Sequence, residues 1–403
     1  MTESSILMSR SSAMILASFG ASAYIWYLYR SETNWLKNLI AKFGTQPKFE
    51  RVGVVEQLYI YPLKSGRPEP IDDAICTPRG LRHGQMDDRM FTVIGTKTGL
   101  VIGPNQKPLL LRVHINVVNG CIELECDRME KLVFSVNDVI KNAQIRHIRL
   151  FDSSLDAFDC GDSAANWLVN AIEFTQKEGC RLVMHHETLV NDRLVTKHYK
   201  YGVIDRVQGR KDKTVFANFS PYMLANSCSF DDLQSRIANN NNKLHSILHF
   251  RPNIVVRADQ GAWQEDQWLS DIRIGDHLHF AVLKRCNRCP VTTVNPATSV
   301  ISAVNEPLTT LRTFRLSTDN AESKMYGNSP IFVLTFVRRD TSQALTNAAA
   351  RSGLIQSLHS PLLNTIPLNY KQLRNSYYNR SPGTVAYVVK RTRDEVIPGI
   401  SIG

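Results

Sequence analysis

Apolar residues alternate with polar ones along much of the chain. Val113, Ile115 and Val117 share one side, Asn119-Gly120 follows, and Ile122 and Leu124 resume the alternation. That pattern predicts a β-hairpin closed by a tight turn. Residues 52–63 are apolar and rich in β-branched types, which predicts a strand. Two more are predicted at 90–94 and 100–102, on either side of a Gly-Thr-Lys-Thr-Gly turn. Further strands are predicted at 253–256, 272–274 and 278–283, the last running straight into Cys286. Helical spacing is rarer. Ala165, Trp167, Leu168, Ala171 and Ile172 fall on one side of a helix that Asp162 or Ser163 can cap. A second helix is predicted over 231–238, ending in a run of asparagines. Many short strands, Gly turns and few helices predict a mainly β fold with packed helices, an α+β arrangement of β-barrel-like domains. No internal repeat is visible.

One segment breaks this pattern. Residues 11–29 are uncharged and bracketed by Arg10 and Arg30, close to the roughly 20 residues needed to cross a bilayer core. Tyr24, Trp26, Tyr27 and Tyr29 crowd its C-terminal end as interfacial aromatics do, which favours a retained anchor over a cleaved signal peptide. Arg30, Lys37, Lys42, Lys48 and Arg51 follow it against Glu32 and Glu50, so the body is expected to face the cytosol. Asn218-Phe219-Ser220 and Asn379-Arg380-Ser381 fit the glycosylation pattern, but on a cytosolic body they are chance matches.

With 403 residues the chain is long for one domain. Hydrophobic content of 43% and charged content of 21% exclude a mainly disordered protein. The net charge of +11 favours acidic partners. Residues 338–403, however, carry nine Lys or Arg against three Asp or Glu, more than half the excess, so the body does not read as a nucleic-acid binder. Eight cysteines in this length are too few for a disulfide scaffold and suit a reducing compartment. There is no Gly-rich dinucleotide fingerprint, P-loop or Gly-x-Ser-x-Gly elbow, so the chain is not expected to hold its own nicotinamide or nucleotide by those routes. His185-His186-Glu187 lacks zinc-protease spacing.

Two kinds of candidate chemistry remain. Cys286-Asn287-Arg288-Cys289 has close-ligand spacing, but one such pair is half a structural zinc site. A single soft thiolate on a heavier metal is open, with Arg285 and Arg288 lowering the thiol pKa; so is a pair of merely packed cysteines. Tyr61-Pro62-Leu63-Lys64-Ser65-Gly66, Asp87-Asp88-Arg89 and Phe250-Arg251-Pro252-Asn253 each combine a cation with neighbours suited to an anion. Each alone is equally an ion pair or a cap, and spacing does not show that they converge.

Taken in order, several segments resemble the MOSC family, specifically its mitochondrial amidoxime-reducing components. They are Ile60-Tyr61-Pro62-Leu63-Lys64-Ser65, Gly80-Leu81-Arg82 with Asp88-Arg89, Asp159-Cys160-Gly161, Phe250-Arg251-Pro252-Asn253-Ile254, Ile274-Gly275-Asp276, Cys286-Asn287-Arg288-Cys289 with Thr292-Thr293-Val294, and Tyr326-Gly327. The resemblance runs from about Arg51 to Phe336. It implies a MOSC N-terminal β-barrel domain (51–180) and a MOSC β-barrel domain (181–337); before them stand the transmembrane anchor (1–30), which also matches, and a polar linker (31–50), and after them a basic tail (338–403) that diverges from the family. It implies a molybdenum–molybdopterin cofactor with Cys289, not Cys286, as the metal ligand and catalytic residue. Lys64, Ser65 and Arg89 match residues that grip the pterin and its phosphate. Arg251 and Asn253 form a second set, Asn287 and Arg288 lie beside the metal, and Phe219 and Ser220 stand near the cofactor.

The implied reaction is reduction of N-hydroxylated compounds, amidoximes and hydroxylamines, with electrons from NADH through cytochrome b5 reductase and cytochrome b5. The implied place is the mitochondrial outer membrane, with the endoplasmic reticulum as the alternative. No room exists for the pyridoxal-phosphate domain of a cofactor sulfurase. The chain departs from the family at Phe219, where a Thr is frequent, and at Thr335, where a Tyr is frequent. After Val337 the short closing strands are not recognisable; an Ala-rich helix is expected over 342–358 and a lone strand over 383–389. A tail without closing strands is the basis of a second reading, a non-catalytic cofactor-binding or membrane scaffold protein.

Overall fold

The apolar run after residue 50 forms strand Glu50–Ile60, and the body is organised around it. The computed structural model describes residues 49–339 except 128, 176–177, 190–192, 196–211, 238–243, 245, 270 and 276–277, together with the backbone of strands Tyr387–Lys390 and Gly399–Ile402. The anchor over 11–29 and the helix over 342–358 lie outside the described residues. Among those described, no helix is long and apolar enough to cross a membrane.

Strand Glu50–Ile60 pairs on one side with Ile254–Ala258. From there the sheet runs through Tyr222–Asn226, Ile331–Arg338, Leu278–Asn287, Asp271–Ile274 and Gly399–Ile402, and returns to Glu50–Ile60. The ring is a closed barrel, which leaves no open sheet edge. Only Tyr222–Asn226 and Ile254–Ala258 are parallel. The short strand Glu69–Ile71 pairs outside the ring with Glu50–Ile60. Close crossing of strands fixes a glycine at 53, where a Cβ would lie 2.4 Å from the Arg257 carbonyl oxygen. Inside, Tyr222, Phe280 and Phe336 pack at centroid distances of 5.0–5.5 Å. Outside, helix Ser227–Arg236 and Phe250 cover Phe332 and Val333. The barrel therefore takes its first stave from the segment expected in the first domain.

That first segment also builds separate sheets. Phe91–Gly95, Cys180–Met184, Ser153–Asp159 and Ile145–Leu150 form an antiparallel sheet under helix Asp162–Ala171. The predicted hairpin forms between His114–Val118 and Cys121–Glu125, with both turn residues, Asn119 and Gly120, at positive φ as that turn demands. The helix after 161 is capped differently from expectation. Its N-cap is Gly161 with no side-chain cap, because Asp162 instead pairs with Arg181. Asp159 takes the Gly161 N–H at 2.9 Å and receives Arg181 and Arg146. The second helix starts earlier than its apolar spacing indicated, at Ser227, since the Asn226 side chain caps it through the Cys228 N–H.

The tail corrects two expectations. The strand expected alone over 383–389 is Tyr387–Lys390, and it pairs with Asp73–Thr77. The closing strand is present as Gly399–Ile402, seated between Glu50–Ile60 and Asp271–Ile274. Its backbone ladder, not a family-like sequence, closes the ring.

Deleting residues 399–403 should expose two barrel edges. At about 1 kcal/mol per lost ladder bond, the chain should lose several kcal/mol in urea unfolding. Asp159→Asn removes the buried counter-ion of two arginines and should cost roughly 3 kcal/mol. Burial opposes ionisation of Asp159, but the bonds from Arg181, Arg146 and Gly161 outweigh it and hold the pKa below 3.8. The difference between parent and variant should thus be full above pH 3.8 and narrow as pH falls below it, read from stability against pH.

Candidate functional site

Two loops from the first half of the chain meet two from the second. Where Glu50–Ile60 ends, residues 61–66 turn away and are stitched to 89–91. Arg89 N–H donates to the Tyr61 carbonyl at 2.7 Å, Phe91 N–H to Pro62 at 2.9 Å, and Lys64 N–H to Phe91 at 2.8 Å. Gly66 closes the turn, since a Cβ there would lie 2.6 Å from the Leu63 side chain. Ser65, Arg89 and Arg251 all adopt left-handed backbone, with φ of 72°, 54° and 55°. Such conformations are uncommon for residues other than glycine and concentrate at functional sites.

The buried Tyr61 ring is the platform. The Arg251 guanidinium lies 4.4 Å from its centroid and that of Arg89 lies 5.0 Å away, a double cation–π contact. The Tyr61 hydroxyl donates to the Pro252 carbonyl at 3.0 Å, and burial raises its pKa. Asp88 lies beneath, with its side chain 1% exposed. It accepts from Tyr61 N–H at 2.9 Å, from the Asn253 amide at 3.0 Å, and from Arg89. Burial raises its pKa against the pull of Arg89. Arg251 reaches back to the Gly66 carbonyl at 2.9 Å. Burial lowers its pKa to about 10.

Lys64 is the most strained cation. Burial lowers its pKa well below 10.5, and Arg89, Arg193 and Arg251 lower it further, while the nearby Cys289 favours the charge. Its ammonium donates to the Asn218 side-chain oxygen. Cys289 is exposed and opens the turn Pro290–Thr293. Its carbonyl accepts from Thr292 N–H at 3.1 Å and from the Thr292 hydroxyl at 2.9 Å. The His249 Nδ1–H donates to the Thr292 carbonyl at 2.9 Å, and Arg288 Nη2 to that of Phe250 at 3.0 Å. The thiol loop and the Arg251 loop are thus clamped together.

Of the expected residues, Lys64, Ser65, Arg89, Arg251, Asn253 and Cys289 converge here. The others make wall contacts. Phe219 packs under the Lys284 ammonium, 5.0 Å from the ring centroid. Ser220 donates to the Tyr222 carbonyl at 2.8 Å, and Asn287 accepts from Lys284 at 3.2 Å. Arg288 points at Cys286, 3.2 Å from its sulfur, and Arg285 is committed to Glu322. Of the two arginines expected to act on a thiol of this pair, Arg288 thus meets Cys286, while Arg285 is paired with a carboxylate. Thr335 donates to the Lys284 carbonyl at 3.0 Å and serves the barrel. Tyr61 as a platform, Asn218, His249 and Arg193 were not singled out by sequence. Asn218 drew notice only as a glycosylation match, and Arg193 carries no local signal.

The donor inventory tests what the cluster can hold. Arg251 Nη2, Arg288 Nε, and Arg193 Nε and Nη1 are buried and have no acceptor among the described residues. The buried Asp88 carboxylate bonds to Arg89 and its charge reaches Arg251, whereas Lys64 bonds to the Asn218 side chain and Arg193 to the Ala217 and Asn218 carbonyls. Unanswered buried cations are costly unless an anion meets them. An exposed thiol beside them adds one soft ligand for a thiophilic metal. These residues fit an anionic, phosphate-bearing metal cofactor.

Comparison with known proteins agrees with that fit. Residues 52–196 match the MOSC N-terminal beta barrel domain and residues 211–328 the MOSC domain. The chain is 33% identical over 295 residues to mitochondrial amidoxime reducing component 2 of Bos taurus, spanning 72% of this chain and 81% of that one. It is 32% identical to mitochondrial amidoxime-reducing component 1 of Homo sapiens, across 72% of this chain and 79% of that one. For component 1 of Danio rerio the values are 35%, 68% and 78%.

Lys64→Met should raise the stability of the cofactor-free protein by roughly 1–2 kcal/mol, as relief of functional strain does. Because the folded pKa of Lys64 is lowered, the gain should be full below that folded pKa, shrink as pH rises from it towards 10.5, and vanish above 10.5, where the lysine is neutral in both states. Chemical denaturation of both proteins across pH measures this.

Proposed function

The chain belongs to the family of MOSC-domain proteins that includes the mitochondrial amidoxime-reducing components, and from that premise we propose that it is a molybdenum-cofactor-dependent reductase of N-hydroxylated compounds. The observation that carries the reading is the exposed thiol of Cys289 beside Lys64 in a cluster of buried and half-buried cations, two of which, Arg193 and Arg251, keep N–H groups with no acceptor among the described residues. Cys289 is the metal ligand in this reading. Lys64, Ser65, Arg89, Arg251 and Asn253 hold the pterin and its phosphate. Phe219, Ser220, Asn287 and Arg288 form the surrounding wall. When bound, the molybdenum centre supplies two-electron removal of oxygen from an N–OH group.

The protein's own contribution is placement. Tyr61 and Asp88 fix the directions of Arg89 and Arg251. The left-handed backbone at both arginines aims them where ordinary helix or strand geometry would not. His249 and Arg288 hold the thiol loop against the Arg251 loop, so the metal ligand and the anion donors keep one geometry. Cys286 packs against the outer cluster around Phe250 and Phe332, with Arg288 at its sulfur, and has a structural role.

Electrons come from NADH through cytochrome b5 reductase and cytochrome b5. The basic net charge supports steering of an acidic electron donor. The lack of a nicotinamide fingerprint supports an external source of reducing equivalents. The relatives are mitochondrial by name, and residues 11–29 give an uncharged stretch of spanning length, which supports an outer-membrane anchor with a cytosolic body. The scaffold reading drew on a missing closing strand; Gly399–Ile402 occupies that place and removes its specific support.

Cys289→Ser should abolish reduction of a model amidoxime in a reconstituted NADH, reductase and cytochrome b5 chain, with the thermal melt unchanged. Cys286→Ser should lower the rate less than about tenfold, since it removes packing and not a ligand. A fully active Cys289→Ser protein would refute the assignment.

A further inference from the structure

The thiol loop leaves the barrel where the strand pairing is broken. Strand Leu278–Asn287 pairs with Ile331–Arg338, but the register shifts between Arg285 and Asn287. On the facing strand Val333 has a φ of 73°, an outlier for a β-branched residue. Beyond that irregularity Asn287 stands opposite Ile331, and the Arg288 N–H donates to the Pro330 carbonyl at 2.8 Å. Cys289 is the next residue. A bulge disrupts its ladder locally, so the rungs past it fix the root of the loop only as well as residues 330–331 are themselves held.

Arg315 holds them. It is the C-cap of helix Leu308–Phe314. It takes Ile331 by both backbone groups: the Ile331 N–H donates to the Arg315 carbonyl at 2.8 Å, and Arg315 Nε donates to the Ile331 carbonyl at 3.1 Å. Its two terminal nitrogens meet the two oxygens of Asp266, at 2.6 and 2.8 Å. Its guanidinium lies 4.4 Å from the centroid of the Trp263 ring. Trp263 packs edge-on against Phe332, with centroids 5.6 Å apart, and donates from its indole to Asp232 at 2.7 Å. All three guanidinium nitrogens are therefore engaged, and one face is stacked. A planar fork held in this way fixes a direction as well as a charge, which a lysine does not do.

We propose that Arg315 is a positioning residue for Cys289: held by Asp266 and Trp263, it fixes residues 330–331, and through the bond from Arg288 to Pro330 it sets where the thiol stands. It acts through the strand and not by contact with the thiol. The effect on turnover rests on the reading of Cys289 as the metal ligand; the placement of the loop does not.

The test has two arms, both on the full-length chain. In cofactor-free protein, hydrogen exchange read by mass spectrometry is compared for the parent, Arg315→Lys and Asp266→Asn. Exchange in residues 287–294 should rise about tenfold in Arg315→Lys and less in Asp266→Asn, with strands Tyr222–Asn226 and Ile254–Ala258 at the parent's rate. Unchanged exchange at 287–294, or a rise shared by those strands, overturns the proposal. In protein made in a host that supplies the cofactor, Arg315→Lys should keep its molybdenum and lose about tenfold in kcat with KM unchanged, the mark of a displaced reacting group. A loosened loop with the parent's kcat overturns the proposal. Selective loosening of 287–294 in a chain whose parent carries no molybdenum supports the placement and refutes the reductase reading, so the two failures are distinct.

Discussion

The Asp88 carboxylate is the constraint on which the rest of the site depends. It bonds to Tyr61, Arg89 and Asn253 at once, and its charge reaches Arg251. Tyr61 and Arg89 come from the first half of the chain, Asn253 from the second. One carboxylate therefore joins the two halves and offsets part of the charge that the site must carry. It cannot offset all of it. The remaining cations are held in place by carbonyls, by Asn218 and by the Tyr61 ring, all of which orient charge without cancelling it.

A site so constructed trades stability for binding. Buried guanidinium groups with idle N–H bonds are unfavourable until an anion arrives, and three residues hold left-handed backbone that costs further free energy. The barrel makes this tolerable. Its ring is closed, its interior is filled by Tyr222, Phe280 and Phe336, and its wall strands supply the stiff ends from which the loops at 61–66, 250–253 and 288–293 depart. The last strand, from the basic tail, is part of that stiffness.

What was legible in the sequence follows from what is local. Asn119-Gly120 announced its hairpin because the turn needs φ > 0 at both positions. The strand leading into Cys286 and the cation-bearing motifs at 61–66, 87–89 and 250–253 could be read as types, and their order carried the family resemblance. Convergence could not be read, because it arises when four loops distant in sequence meet at one end of a barrel. Arg193 lies in a two-residue strand with no periodicity, so only its position beside Asn218 reveals it. The role of Asp162 was misread because an N-cap signal and a partner for Arg181 look alike until the fold brings Arg181 near. The closing strand Gly399–Ile402 was missed since so short a strand takes its place by backbone pairing, which leaves little trace in side-chain pattern.

The central claim is that the thiol of Cys289 and the four-cation cluster together hold a molybdenum cofactor. Molybdenum per polypeptide tests it most directly, measured on the full-length chain purified from a host that supplies the cofactor, with Cys289→Ser prepared alongside. The account predicts stoichiometric molybdenum in the parent and its loss from the serine variant, both proteins being equally folded. A well-folded parent that carries no molybdenum would contradict it.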